Sequence, residues 1–146
     1  MLSQTAEYAL RAIVYLAGRD GKPVTAQNLA AAARVPADYL AKVLRVLGRT
    51  GIVLAQRGKR GGFSLARPAE TLTILDVVNA VTPMPRIHTC PLRIRAHGAA
   101  LCPLHKHIDA AMLMMEQAFG NTTIADIINE PCTSKPLCNI RCEVHA

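Results

Sequence analysis

The sequence predicts a mainly α-helical fold with one small β-hairpin: a winged helix-turn-helix followed by a long helix suited to dimerisation. Three observations lead to this prediction. Hydrophobic residues make up 51% of the 146 residues, yet only 3% are aromatic and none is Trp, which is typical of helical cores built from Ala, Leu, Ile and Val. Apolar residues recur three and four positions apart in most segments. A Gly- and Arg-rich turn between two short strand-like runs predicts the hairpin.

The first three helices are predicted from apolar spacing and capping residues. Helix one begins after Ser3, a candidate N-cap, and ends at Gly18, while Thr25 caps helix two, which ends before Pro36. The third helix, over residues 37–49, places apolar side chains on one face and basic and aromatic side chains on another. Two helices joined by a turn of three or four residues, the second with such a face, are typical of a helix-turn-helix.

The hairpin follows the third helix directly. Residues 52–54 and 63–66 are predicted as its two strands, with residues 56–62 as the turn, and together they form the wing. Thr73 is a candidate cap of a fourth helix over residues 74–81.

The fifth helix, predicted over residues 103–119, carries a near-heptad apolar stripe, which is typical of a helix that pairs with a second copy. The stripe consists of Leu104, Ile108, Met112, Met115 and Phe119. A short helix capped by Thr123 is predicted to end the folded part near residue 128.

The chain therefore divides into four predicted parts. These are a winged helix-turn-helix over 1–82, a Cys/His loop over 83–102, a dimerisation helix with a short helix over 103–129, and a Cys-rich tail over 130–146. No apolar run is long enough to span a bilayer and no secretion signal is recognised, so we expect a cytoplasmic protein whose thiols stay reduced.

Positive charge is concentrated in the first half of the chain. Residues 1–67 hold 11 Lys and Arg against 3 Asp and Glu, whereas residues 68–146 hold 6 against 7. This asymmetry predicts that the N-terminal half binds DNA phosphates. Tyr39 and Lys42 are predicted to reach base edges, and Arg57 to enter the minor groove. The other candidate DNA contacts, mostly to phosphate, are Thr25, Gln27, Asp38, Arg45, Arg49, Lys59 and Arg60.

Cysteine and histidine concentrate in the second half. Cys90 and Cys102 lie in the loop before the fifth helix, near His88, His97, His105 and His107. Two thiolates with imidazoles are suited to an iron–sulfur cluster or to zinc, and the same two cysteines are also suited to a redox thiol pair. The tail carries a second, looser set, whose spacing matches no metal motif: Cys132, Cys138, Cys142 and His145.

Several stretches jointly resemble the Rrf2 family of winged-helix regulators, which includes IscR-like cluster sensors and NsrR-like nitric-oxide sensors. They are residues 7–12, 38–42, 48–53 and 57–63, with further similarity at 75–78 and 122–128. The second of these stretches begins with Asp38. The resemblance covers residues 1–129 and implies that the long helix forms a homodimer. Some members carry an acidic base-contacting residue where this chain has Ala41, so the operator is expected to differ from theirs.

The resemblance also implies a cofactor. Cluster-binding members place three cysteines in this loop; Cys90 and Cys102 match the first and third, but Ala96 occupies the middle position. His105 stands where a cluster-binding His stands in some relatives, and is the preferred third ligand. Glu7 matches an acidic position that reaches the cluster of the other subunit in some relatives. A 2Fe-2S cluster is therefore the expected cofactor.

We therefore predict a homodimeric transcription regulator, a repressor, whose affinity for DNA responds to a cluster, redox or nitric-oxide signal at Cys90 and Cys102. A cluster-free thiol sensor is the alternative within the same class. Two rivals come from other classes: a thiol oxidoreductase using Cys102 and His105, and an architectural DNA-binding module without sequence preference. No Cys-x-x-Cys pair or Gly-rich cofactor loop supports an enzyme.

Overall fold

The computed structural model describes residues 2–92 and 100–131. In this part of the chain six helices and one hairpin follow one another in the order predicted. The helices are α1 (Gln4–Ala17), α2 (Ala26–Ala33), α3 (Ala37–Arg49), α4 (Ile74–Val81), α5 (Pro103–Gly120) and α6 (Ile124–Asn129). The strands are β1 (Val53–Gln56) and β2 (Gly62–Leu65). The predictions for Ala96, His97 and the tail cysteines lie outside the described residues.

Four helices begin at hydroxyl caps, as the sequence predicts. Ser3 and Thr25 accept hydrogen bonds from the backbone N–H groups of Ala6 and Asn28. Thr73 and Thr123 form capping boxes with the acidic residues three positions later. Each cap satisfies an N–H group that lacks a partner inside the helix, and so fixes where the helix begins.

The core lies where α1, α2 and α3 meet α4 and α6. Ile13 of α1, Leu29 of α2, Val77 of α4 and Ile124 of α6 are fully buried. The predicted apolar face of α3 is confirmed, because its buried residues are Leu40, Val43, Leu44 and Leu47. α3 is thereby held with its opposite face toward solvent.

The hairpin forms where predicted, but its strands are placed differently. Gln56, predicted in the turn, ends β1 and pairs with Gly62, while Ile52 and Ala66 lie just outside the strands. The two outer residues still share a backbone hydrogen bond of 2.9 Å. The prediction failed at these edges because main-chain pairing between strands, which a single strand's composition does not reveal, decides where each strand ends.

Helix α5 packs along α4 but buries none of its own residues fully. The predicted apolar stripe divides into two parts. Met112 and Phe119 are half-buried against the rest of the chain, whereas Leu104, Ile108 and Met115 are 65%, 38% and 37% exposed. An apolar helix face is therefore left uncovered. No helix in residues 2–92 and 100–131 is long and apolar enough to cross a membrane.

Candidate nucleic-acid interface and candidate metal centre

The outer face of α3 carries four of the ten predicted DNA contacts. Asp38, Lys42, Arg45 and Arg49 are all exposed, and so is Ala41 between them. They are exposed because the opposite, apolar face of the helix anchors it in the core. Asp38 lies in the first turn, where a negative charge also stabilises the helix dipole.

Tyr39 differs from these residues because it faces α1. It is half-buried, its hydroxyl shares a hydrogen bond with the Thr5 hydroxyl, and its ring meets the Tyr8 ring edge-on at a centroid distance of 5.5 Å. Aromatic pairs in this geometry stabilise the packing of two helices. Tyr39 thus fixes α3 against α1, and a direct role in reading bases stays a prediction.

Thr25 and Gln27 lie at the start of α2, both exposed. The Thr25 hydroxyl accepts a hydrogen bond from Asn28, so it is the cap of this helix. The positive end of the helix dipole at this point favours a phosphate. The structure therefore leaves the predicted phosphate contact accessible.

The wing presents its three cations, Arg57, Lys59 and Arg60, to solvent. The base of the wing is hydrogen-bonded to the segment before α2, since the backbone groups of Phe63 and Val24 form two hydrogen bonds with each other, of 2.7 and 2.9 Å. Gly62 makes this contact possible: its φ is +152°, and a Cβ there would lie 2.5 Å from the carbonyl oxygen of Val24. The basic loop is thus held beside the helix-turn-helix.

This close approach gives a testable prediction for the wing. Gly62→Ala is expected to lower the free energy of unfolding by roughly 1–3 kcal/mol, because the backbone conformation and the Val24 carbonyl both oppose a side chain. Chemical denaturation measures the loss. Gly18→Ala is the matched control, because a Cβ there meets its nearest atom at an ordinary 3.6 Å. Equal stability of the two variants would contradict this account of the wing.

The predicted ligands Cys90, Cys102 and His105 come together at the start of α5. Their ligand atoms all lie within 4.8 Å of one another. The Cys102 thiol is 3.1 Å from Nδ1 of His105, and the Cys90 thiol is 3.9 Å from the same nitrogen. Cys102 is the N-cap of α5 and His105 lies in its first turn, so the helix itself fixes these two side chains on one side.

Among the described residues, the other candidate ligands do not belong to this group. Glu7 is exposed on α1 and forms an ion pair with Arg11, whose guanidinium lies 5.6 Å from the Tyr8 ring centroid. A ligand role for Glu7 was predicted toward the other subunit and stays a prediction. His88 and His107 are exposed.

Sequence reasoning missed one residue beside the site. Arg86, four positions before Cys90, forms a two-pronged ion pair with Asp109 of α5 and a further one with Glu116. The hydrogen bonds from Arg86 and from the Ile87 N–H hold the pKa of Asp109 well below its usual range. They do so because they stabilise its charged form. The partners are 23 and 30 residues apart in sequence, so no local pattern reveals the contact.

Comparison with known proteins identifies relatives over nearly the whole chain. The profile of the Rrf2 family, described as an iron-dependent transcriptional regulator, matches residues 2–130. A protein of Aquifex aeolicus described as an HTH-type transcriptional regulator is 31% identical over 132 residues, which are 88% of this chain and 92% of that protein.

Solved structures show the same fold. CymR, the global cysteine regulator of B. subtilis, is 18% identical, with a TM-score of 0.74 over 90% of this chain and 98% of its own. IscR of T. potens is 19% identical, with a TM-score of 0.73 over 92% of this chain and 93% of its own. At these identities the likeness concerns the fold alone.

Proposed function

The chain belongs to the Rrf2 family of iron-dependent transcriptional regulators, and from this premise we propose that a metal centre on Cys90, Cys102 and His105 sets its affinity for DNA. Membership makes it a DNA-binding transcription regulator and not an enzyme. The observation that carries the proposal is the convergence of two thiols and one imidazole within 4.8 Å at the start of α5.

The DNA-binding surface proposed here combines the exposed face of α3 with the wing. α3 enters the major groove, where Lys42 reads bases and Arg45 and Arg49 hold phosphates. Arg57 of the wing lies in the adjacent minor groove, with Lys59 and Arg60 on its phosphates, since a thin basic loop fits that narrow groove. The excess of positive charge in residues 1–67 supports this orientation.

The uncovered face of α5 supports dimerisation. Leu104, Ile108, Ala111, Met115 and Ala118 are all exposed and follow one another at spacings of four and three residues. This is the pattern by which two helices interlock, and the small alanines allow close approach. A second copy would bury the stripe and place two α3 helices on half-sites about one turn of DNA, roughly 34–36 Å, apart.

The donors present fit iron–sulfur and zinc chemistry. Metal–sulfur bonds of about 2.3 Å and metal–nitrogen bonds of about 2.0–2.1 Å in a tetrahedron separate sulfur and nitrogen by roughly 3.6 Å. The observed separations, 3.1 and 3.9 Å, fall on either side of this value. Imidazole replaces thiolate in some 2Fe-2S clusters. A bound cluster supplies one-electron chemistry and reactivity toward oxygen and nitric oxide, and we propose it as the cofactor.

Further ligands complete the cluster in this proposal. Glu7 of a second copy is the candidate that the family resemblance provides, since its carboxylate is exposed on α1. Ionised carboxylate oxygens are acceptable ligands to iron. Recruiting Glu7 would break its ion pair with Arg11, which in turn contacts Tyr8 beside Tyr39 of α3. The cofactor state would thereby act on the recognition helix.

A single zinc ion is the second candidate for this site. The observation that favours it is that all three donors lie within 4.8 Å of one another, as three ligands of one ion do. Acid-labile sulfide distinguishes the two: a cluster contains sulfide in proportion to its iron, whereas a zinc site contains none.

The DNA-binding part is tested by selecting genomic fragments that the protein retains and measuring affinity for the selected operator. Lys42→Ala is expected to weaken specific binding by about 1–3 kcal/mol, because Lys42 is proposed to contact a base edge. Arg57→Ala is expected to cause a similar loss. Lys106→Ala removes the same charge as Lys42→Ala from an exposed position of α5 and serves as the control. Equal effects of Lys42→Ala and Lys106→Ala would refute this interface.

A further inference from the structure

Arg86 connects the segment that leads to Cys90 with helix α5. We infer that Arg86 is a positioning residue, which holds Cys90 at coordination distance from Cys102 and His105. The inference rests on the proposed metal site and adds a residue that is not itself a ligand. It concerns Cys90 alone, because α5 already fixes Cys102 and His105 relative to each other.

The contacts of Arg86 form a rigid anchor. Nε and Nη2 donate to the two carboxylate oxygens of Asp109 at 2.8 and 2.9 Å, and Nη1 donates to Glu116 at 2.9 Å. The backbone N–H of Ile87 donates to Asp109 as well, at 2.9 Å. The three side chains are only 24%, 18% and 32% exposed, so water and salt weaken these bonds less than those of a surface pair. A planar guanidinium bonded to two carboxylates also fixes the orientation of the arginine side chain, whereas the ammonium group of a lysine does not.

The short stretch of chain beyond the anchor limits how far Cys90 can lie from α5. Asp109 lies seven residues after Cys102, which is about 10 Å along a helix. Three residues lead from Ile87 to Cys90, and an extended chain of that length reaches at most about 10–11 Å. Anchored at Asp109, the segment keeps Cys90 within this reach of α5, and because it bends at Thr89 the distance from Ile87 to Cys90 is shorter than the extended limit. The anchor therefore confines Cys90 to the neighbourhood of the other two donors.

Without the anchor, the nearest preceding residue held by the core is Val81 at the end of α4, nine residues before Cys90, in place of Ile87, three residues before it. The longer connection lowers the effective concentration of the Cys90 thiol at the site, by roughly five- to tenfold for this change in length. Loss of Arg86 should therefore weaken metal binding through Cys90, while the pair of Cys102 and His105 persists. The loss of metal affinity should depend on the two-pronged hydrogen bonding between Arg86 and Asp109 and not only on the charge of Arg86.

The first test titrates metal-free, reduced full-length protein with Co²⁺ and follows thiolate-to-cobalt absorbance. Arg86→Gln is expected to bind Co²⁺ about tenfold more weakly and to show a weaker thiolate-to-cobalt absorbance. Mutations of residues that hydrogen-bond to metal ligands lower metal affinity by a similar factor. Arg86→Lys should fall between Arg86→Gln and the unaltered protein. Arg67→Gln removes another arginine that pairs with a carboxylate, Asp76, and should bind normally. Equal affinity of Arg86→Gln and unaltered protein would overturn the inference.

The second test needs no metal and separates this inference from the proposed function. In a chain carrying Cys132→Ser, Cys138→Ser and Cys142→Ser, diamide oxidises Cys90 and Cys102: two S–H bonds break, one S–S bond forms, and diamide gains two electrons and two protons. With diamide in excess, so that attack of the second thiolate on the diamide adduct of the first limits the rate, Arg86→Gln is expected to slow disulfide formation roughly tenfold, through the lower effective concentration. If Arg86→Gln forms the disulfide as fast as the unaltered protein, the positioning role of Arg86 is refuted, whether or not the protein binds Co²⁺. If Arg86→Gln slows disulfide formation but the unaltered protein binds no Co²⁺, only the proposed metal site is refuted.

A folding defect is excluded by circular dichroism and by a milder variant. Glu116→Gln removes one of the two charged partners of Arg86 and leaves the two-pronged ion pair between Arg86 and Asp109 intact. It should weaken Co²⁺ binding in the same direction, but less than Arg86→Gln. Normal binding by a well-folded Arg86→Gln protein, or stronger binding by Glu116→Gln, would contradict the positioning role.

Discussion

Cys102→Ala is expected to abolish the metal centre while leaving the fold intact. Cys102 lies 3.1 Å from His105 and is the donor that α5 itself positions, so its loss leaves no fixed pair of ligands. Metal affinity should fall at least about 100-fold, the upper range for disturbing a metal site's surroundings. The Cys102 side chain makes no capping hydrogen bond, so stability should change by less than about 0.5 kcal/mol.

Metal content after anaerobic purification and affinity for the operator measure this prediction. Cys142→Ala provides the matched control, because it removes the same thiol from the tail. It should retain full metal content and normal regulation. Metal loss in Cys142→Ala would instead place a ligand in the tail, and full metal content in Cys102→Ala would refute the site described here.

Ile108→Glu is expected to convert the protein into a monomer with little affinity for its operator. Ile108 lies in the middle of the exposed stripe of α5 and is 38% exposed in the single chain, so glutamate there is tolerated by the monomer. In a dimer the same carboxylate would be buried without a partner, at a cost of several kcal/mol. Because two half-sites then bind independently, operator affinity should fall at least about 100-fold.

Sedimentation at micromolar concentration and operator titration test this prediction. Gln117→Glu adds the same charge at an exposed position of α5 that is not part of the stripe, and should remain dimeric. A dimeric Ile108→Glu protein with normal affinity would show that the stripe is not the interface.

The parts of the fold predicted from sequence are those governed by local interactions. Ser3, Thr25, Thr73 and Thr123 cap the helices predicted for them, because a hydroxyl that satisfies the first N–H groups acts over only three residues. The apolar face of α3 was likewise visible, since its spacing follows from the geometry of a helix.

What the sequence did not reveal depends on contacts between distant segments. Tyr39 has the position of a base-reading residue, but its ring packs on Tyr8 and its hydroxyl on Thr5, which only the packing of α1 against α3 determines. Met112 and Phe119 belong to the predicted stripe by spacing, yet α5 turns them toward the rest of the chain because it packs on α4. Arg86 had no assigned role, because its partners Asp109 and Glu116 lie about two and about four helical turns beyond the end of the cysteine loop.

We propose that the centre on Cys90, Cys102 and His105 controls DNA binding. The most direct test of this proposal is to measure operator affinity of anaerobically purified protein together with its iron and acid-labile sulfide, before and after the metal is removed by a chelator. We expect a coloured protein that contains iron and sulfide, and an operator Kd that changes about tenfold or more on metal removal, within the usual range of allosteric coupling. A colourless, metal-free protein, or a Kd indifferent to metal removal, would contradict it.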